Sequence, residues 1–136
     1  MSKKISNYFT DKETVVSSTG DRLGIRNIVP DNLKKTVAYT AARMDTIRLL
    51  LGVPCIVNSF YRSLELNNAV KGSKTSDHMN GKAIDFAPGM NLREAYNRIK
   101  NSGLSYDQLI IYPKQGFLHI SFKDDITAER KMAFEK

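Results

Sequence analysis

Residues 76–86 read Ser76-Asp77-His78-Met79-Asn80-Gly81-Lys82-Ala83-Ile84-Asp85-Phe86, a polar loop that runs through Gly81 into a short apolar strand. His78 lies in the loop, and Gly81 permits a tight turn there. Asp85 lies inside the strand, between Ile84 and Phe86. A carboxylate in a buried strand is costly unless it is paired or ligates a metal. The chain has only two histidines. The second, His119, also sits inside an apolar run, Phe117-Leu118-His119-Ile120-Ser121-Phe122. Two imidazoles and one carboxylate, with a fourth position left to water, make a common catalytic zinc shell. An Asp that caps a turn and two unrelated sheet histidines fit the same spacing, and spacing alone favours that plainer arrangement.

The segments around this stretch predict an α+β domain, a small antiparallel sheet flanked by helices. Thr10 and Glu13 form a capping-box pattern that opens a short helix, ending by the loop-like Ser17-Ser18-Thr19-Gly20. Pro30-Asp31-Asn32 starts a long helix whose apolar stripe is Leu33, Val37, Ala41, Met44, Ile47 and Leu51, with Gly52 as its stop. Cys55 to Ser59 reads as a buried strand, Ser63 to Val70 as a short helix, and Gly72 to Asn80 as loop. After the strand Ala83 to Phe86, Asn91-Leu92-Arg93-Glu94 caps a helix with Leu92, Ala95, Tyr96 and Ile99 on one face, stopping at Gly103. Gln108 to Tyr112 and Phe117 to Phe122 flank Pro113-Lys114-Gln115-Gly116, a spacing that suits an antiparallel hairpin. The tail, Arg130 to Phe134, is assigned as an edge strand.

The 136 residues suit a single domain over 1–136. No apolar run approaches the roughly 18–20 residues that cross a bilayer, so no membrane insertion is expected. Met1-Ser2-Lys3-Lys4 is followed by no apolar h-region, so the sequence reads as a product made in the cytoplasm without a signal peptide. The single cysteine, Cys55, excludes an internal disulfide and reads as a buried small hydrophobe. A net charge of +7 favours anionic partners. The basic residues are dispersed, however, and zinc-finger spacing, an RNP-type aromatic motif and a helix-turn-helix are all missing, which argues against nucleic acid. No feature specifies an oligomer.

The pattern Ser-x-His-x-x-Gly-x-Ala-x-Asp, Ser76 to Asp85, resembles the signature of the zinc D-Ala-D-Ala carboxypeptidase family, which includes phage L-alanyl-D-glutamate endopeptidases. Asn58-Ser59-Phe60-Tyr61-Arg62-Ser63 and Leu66 to Ser73 resemble the segment preceding it in small members. Asp107-Gln108-Leu109-Ile110 and Leu118 to Phe122 are similar to the closing hairpin, and Tyr8-Phe9-Thr10 and Arg22 to Ile25 to the opening. The resemblance implies a Hedgehog/DD-peptidase-like fold, Zn²⁺ as cofactor, and His78, Asp85 and His119 as its ligands. It implies bacterial peptidoglycan peptides as substrate, action at the cell wall and a phage-borne role. Arg62 would face the substrate or the developing oxyanion, and Ser76 would contact substrate or support a ligand; read from chemistry alone, Arg62 fits a surface or helix-capping charge equally, and Ser76 a loop hydroxyl bonding its own backbone.

One part of the family pattern is missing. A zinc peptidase needs a general base, which contributes about 10²–10⁴-fold. Relatives often carry an acid shortly after the Gln-Leu-Ile run, where this chain has Ile110-Ile111-Tyr112-Pro113, or three residues before the second histidine, where it has Gly116. The substitutes available are Asp77, beside a ligand, and Asp107; Tyr112 can donate a hydrogen bond but is a poor base near neutral pH. The gap leaves a second reading open: a catalytically impaired wall-binding or virion structural module of the same fold.

Overall fold

Residues 2–136 are described by a computed structural model. The helices are α1 (Ser18–Leu23), α2 (Lys34–Leu51), α3 (Leu64–Ala69) and α4 (Leu92–Lys100), and the strands are β1 (Cys55–Ser59), β2 (Ala83–Pro88), β3 (Gln108–Tyr112), β4 (Phe117–Ser121) and β5 (Met132–Glu135). The strands form one sheet in the order β1-β2-β4-β3-β5. The first three pairings are antiparallel, as expected for the hairpin. The tail is an edge strand, as its sequence implies, but it returns past the helical-turn segment 126–128 and runs parallel to β3. The sheet is therefore mixed, and the class is α+β.

Strand alternation divides the sheet into two faces. Ile84 and Phe86 of β2, Leu109 and Ile111 of β3, and Leu118 and Ile120 of β4 are almost wholly buried in the core with Met44, Ile47, Ala95 and Ile99 of the helices. Each such side chain contributes about 1.5–3 kcal/mol when fully buried. Asp85 and His119, one residue out of phase, point to the other face.

Five of the six stripe residues of α2 are buried; Leu33 is half-buried in a 3-10 turn just before it. Two polar residues share the stripe because each ties another segment to the helix. The Thr40 hydroxyl donates to the Gly81 carbonyl at 2.7 Å. The Asp45 carboxylate accepts from the Ser6 hydroxyl and the Asn7 and Tyr8 amides, which pins the N-terminal segment. Gly52 ends α2 in the left-handed region, as expected.

Two segments expected to be loop are helical. Ser17-Ser18-Thr19-Gly20 opens α1: the Ser17 hydroxyl caps the Gly20 amide at 3.0 Å and Gly24 closes the helix at φ 69°. Its Ser/Thr/Gly composition reads as loop because the same residues that start turns also cap helices. The capping box at Thr10 and Glu13 forms, but around a single 3-10 turn, Lys12–Val15. Asp77–Asn80, within the predicted 72–80 loop, is likewise one 3-10 turn. Cys55 is buried, and burial pushes its thiol up to about 11, which makes it a poor nucleophile near neutral pH.

The tail is anchored by a buried ion pair. Glu129, with no exposed side-chain surface, accepts from Arg43 at 2.7 and 3.0 Å and from the Lys123 amide at 2.8 Å. Burial opposes its ionisation, but these donors outweigh it and hold the carboxyl below its usual range. A depressed folded pKa stabilises above the unfolded value near ~4.3, and that stability is lost as pH falls through the folded value. Glu129→Gln is therefore expected to cost about 1.5–3 kcal/mol in urea unfolding at neutral pH. The gap between variant and wild type should close as the titration proceeds below pH ~4; a gap constant with pH would mean the carboxylate charge is not what anchors the tail.

Candidate metal centre

Register builds the site. In the β2–β4 ladder Asp85 is directly opposite His119. On the other side of β2, a shift in pairing between Val57 and Ser59 of β1 brings Ser59 opposite Asp85 and carries the chain toward Phe60 and Arg62. His78 enters from the 3-10 turn Asp77–Asn80. The Ser76 hydroxyl caps that turn at the His78 amide, 3.2 Å away, and Gly81 closes it at φ 69°. A Cβ at Gly81 would also fall 2.6 Å from Val37 Cγ2 of α2. The turn thus needs glycine both for its backbone angle and for its close approach to the helix.

His78, Asp85 and His119 each offer a ligand atom, and these atoms all lie within 4.8 Å of one another. The rings meet edge to face, with centroids 5.2 Å apart. His78 Nε2 lies 3.2 Å and His119 Nδ1 2.8 Å from Asp85 Oδ1. His78 Nδ1 donates to the Phe60 carbonyl at 2.7 Å, a contact that fixes the tautomer because a carbonyl can only accept. Burial pushes the His78 imidazole below its ordinary pKa in spite of Asp85, so the neutral ring is favoured. Its one proton is committed to Phe60, and Nε2 turns a lone pair toward a carboxylate oxygen.

Burial acts on Asp85 in the opposite sense, raising its carboxyl. The contact to His119 outweighs that effect and holds it well below the usual carboxylate range. An ionised carboxylate facing an imidazole lone pair at contact distance is repulsive between the two alone. A divalent cation shared by both converts it into coordination, and neutral imidazole with carboxylate is the donor set zinc takes in catalytic sites. The second partner of His78, a backbone carbonyl, is the usual support of a ligating histidine. The residues present fit the ion.

Arg62 stands beside the three. Its Nε donates to the Ser59 hydroxyl at 3.0 Å, Nη1 to Asn67 Oδ1 at 3.1 Å, and Nη2 reaches Asp85 Oδ2 at 3.4 Å. Asn67, buried in α3, in turn donates to the Ser73 carbonyl. Sequence reasoning singled out neither Ser59 nor Asn67. An amide at a buried position of a short helix was the available sign, since a buried amide must have partners.

His78, Asp85, His119 and Arg62 line an open cleft of about 700 Å³ with Ser76, Asp77, Asp107, Tyr112 and Phe117. Tyr112 stacks on Phe117, with centroids 4.6 Å apart, and burial raises its phenol, so it remains protonated and is available as a donor near neutral pH. Asp107 reaches the cleft with both oxygens engaged: Arg130 Nε is 2.9 Å from Oδ1 and Nη2 2.8 Å from Oδ2, and the Arg130 amide adds a third bond. Among the described residues, no salt bridge or side-chain hydrogen bond engages the Asp77 carboxylate. The cleft-facing residues of β3, namely Gln108, Ile110 and Tyr112, bring no acid. Among the described residues, no helix is long and apolar enough to cross a membrane.

No curated protein matches the chain. A family model does, the one described as Peptidase M15, over residues 7–121. That span takes in every residue of the histidine–aspartate cluster and all but the last strand of the sheet. On the strength of that match, the chain belongs to the peptidase M15 family of metallopeptidases.

Proposed function

We propose that the protein is a zinc-dependent peptidase that hydrolyses the stem peptides of peptidoglycan, as a D,D-carboxypeptidase or endopeptidase. The observation that carries this reading is the convergence of His78 Nε2 and His119 Nδ1 on the Asp85 carboxylate in an open cleft. The bacteriophage setting, as a lysin or virion-borne wall peptidase, is supported by the resemblance to phage endopeptidases.

His78, Asp85 and His119 would hold the zinc, which would supply polarisation of the scissile carbonyl and a bound water acidic enough to act near pH ~7. The chain's own residues do the rest. Arg62, braced by Ser59 and Asn67, presents a fixed positive charge where the carbonyl oxygen gains negative charge. Tyr112 donates a hydrogen bond to substrate from the opposite wall. Ser76 acts through the turn it caps, holding His78 in place. Proton transfer falls to Asp77, because the Asp107 oxygens are bound by Arg130. The same gap on β3 favours a second reading, a wall-binding or virion module that keeps the site and has lost hydrolysis.

Purified cell wall incubated with the zinc-loaded protein should release D-Ala or cleaved cross-links, and chelation should stop the release. Binding without cleavage at full zinc occupancy would establish the module instead. Elemental analysis should find one zinc per wild-type chain, and His119→Ala and Asp85→Asn should each fail to retain it; undiminished zinc in either would remove that residue from the ligand set. Asp77→Asn should lower turnover by about 10²–10⁴-fold with zinc retained, and Arg62→Gln by about 10²–10³-fold. Steady-state kinetics on a defined stem peptide measures both, and an unchanged kcat in either variant clears that residue of its role.

A further inference from the structure

The matched family span ends at residue 121, yet the cleft does not. Residues beyond it supply Lys123, Arg130 and Lys136 to the lining. This segment is fixed in place rather than draped. Glu129 is bound by Arg43 of α2, Arg130 by Asp107, and β5 by β3, with the Lys136 amide donating to the Ile111 carbonyl at 3.0 Å. Lys123 is half-buried, while Arg130 and Lys136 are exposed. With Arg62 and Lys71 on the facing wall, five cationic side chains line the cleft. Three carboxylates line it too, of which Asp85 belongs to the histidine cluster and Asp107 is consumed by Arg130. Once Arg130 is set against Asp107 and Arg62 against Asp85, Lys71, Lys123 and Lys136 remain against Asp77, a surplus of two positive charges.

A surplus of positive charge around a peptide-binding cleft selects an anionic ligand. Arg130 is the most defined of the three tail cations. Asp107 holds its guanidinium by two parallel bonds, which fixes the wall that carries Lys123 and Lys136. We infer that residues 122–136 form a substrate-selecting wall of the cleft, whose Lys123 and Lys136 bind a free carboxylate of the peptide other than the group being cleaved. The preferred substrate is then an acidic peptide with that carboxylate unamidated. Asp107 is a positioning residue for the wall, acting through Arg130. The inference rests on the peptidase reading of the same cleft and deepens it.

The test uses two synthetic stem peptides that differ only in whether this carboxylate is free or amidated. Wild-type, zinc-loaded protein should cleave the free acid with a kcat/KM about tenfold higher, carried by KM. The double variant Lys123→Gln/Lys136→Gln should bring the ratio close to one, since each exposed pair contributes up to about fivefold. Equal kcat/KM on both peptides in the wild type overturns the inference and leaves the peptidase reading intact. Should neither peptide be cleaved, the peptidase reading fails, and calorimetric binding to His119→Ala still judges the wall: tighter binding of the free acid, lost in the triple variant with both lysines changed, supports it. Displacement of either peptide by inorganic polyphosphate with no preference for the free acid marks the wall as a phosphate site and overturns it.

Discussion

The hydrogen bond from His78 Nδ1 to the Phe60 carbonyl is the contact on which the site depends. It decides which nitrogen of His78 faces inward and in what state. Without it the ring could give its proton to Asp85, and the cluster would be an ordinary buried acid–base pair. With it, Nε2 and the Asp85 carboxylate meet as two acceptors, and only a cation between them satisfies both. Everything that sets the Phe60 carbonyl therefore bears on the candidate metal site. The Phe60 side chain is wholly buried in the core. Phe60 follows the shifted pairing in β1, and the Tyr61 amide just beyond it donates to the Thr14 carbonyl.

The same reasoning explains why polar residues interrupt the core stripe of α2. Thr40 spans from the helix to the Gly81 carbonyl, and Gly81 closes the turn that bears His78. The helix thereby positions the histidine turn by one hydrogen bond and by the Val37 contact that forbids a side chain at residue 81. Asp45, one turn further on, gathers the N-terminal segment. Core packing sets where α2 lies, and these two side chains transmit that placement to the loops.

Much of this was readable along the chain, and the parts that were not have physical causes. Asp85 between Ile84 and Phe86, and His119 between Leu118 and Ile120, announce a second face because a strand alternates its side chains. Pairing of the two residues across β2 and β4 needed the register, which no local pattern carries. The long helix and its glycine stop follow from period and composition alone. Helix α1 did not, because Ser17 and Gly20 serve turns and caps alike. The parallel placement of β5 was equally hidden: its four residues, two of them half-buried, carry little period, and what fixes them is the long-range pairing of Glu129 with Arg43 and Arg130 with Asp107.

Asp85, inside β2, and Asp107, just before β3, are both buried. Their partners separate them. Arg130 meets Asp107 with a planar fork of N–H donors that matches both oxygens, so the charge is neutralised and nothing is left to bind. Asp85 meets His119, a His78 ring whose proton is spent elsewhere, and a guanidinium at the long distance of 3.4 Å. Its charge is buried but its coordination is incomplete. A buried carboxylate with donors to spare holds a fold together; one that faces an imidazole lone pair is held in readiness for a metal. The difference lies in the proton inventory of the neighbours rather than in the acid itself: Asp85 is left able to ligate a cation, and Asp107 is not.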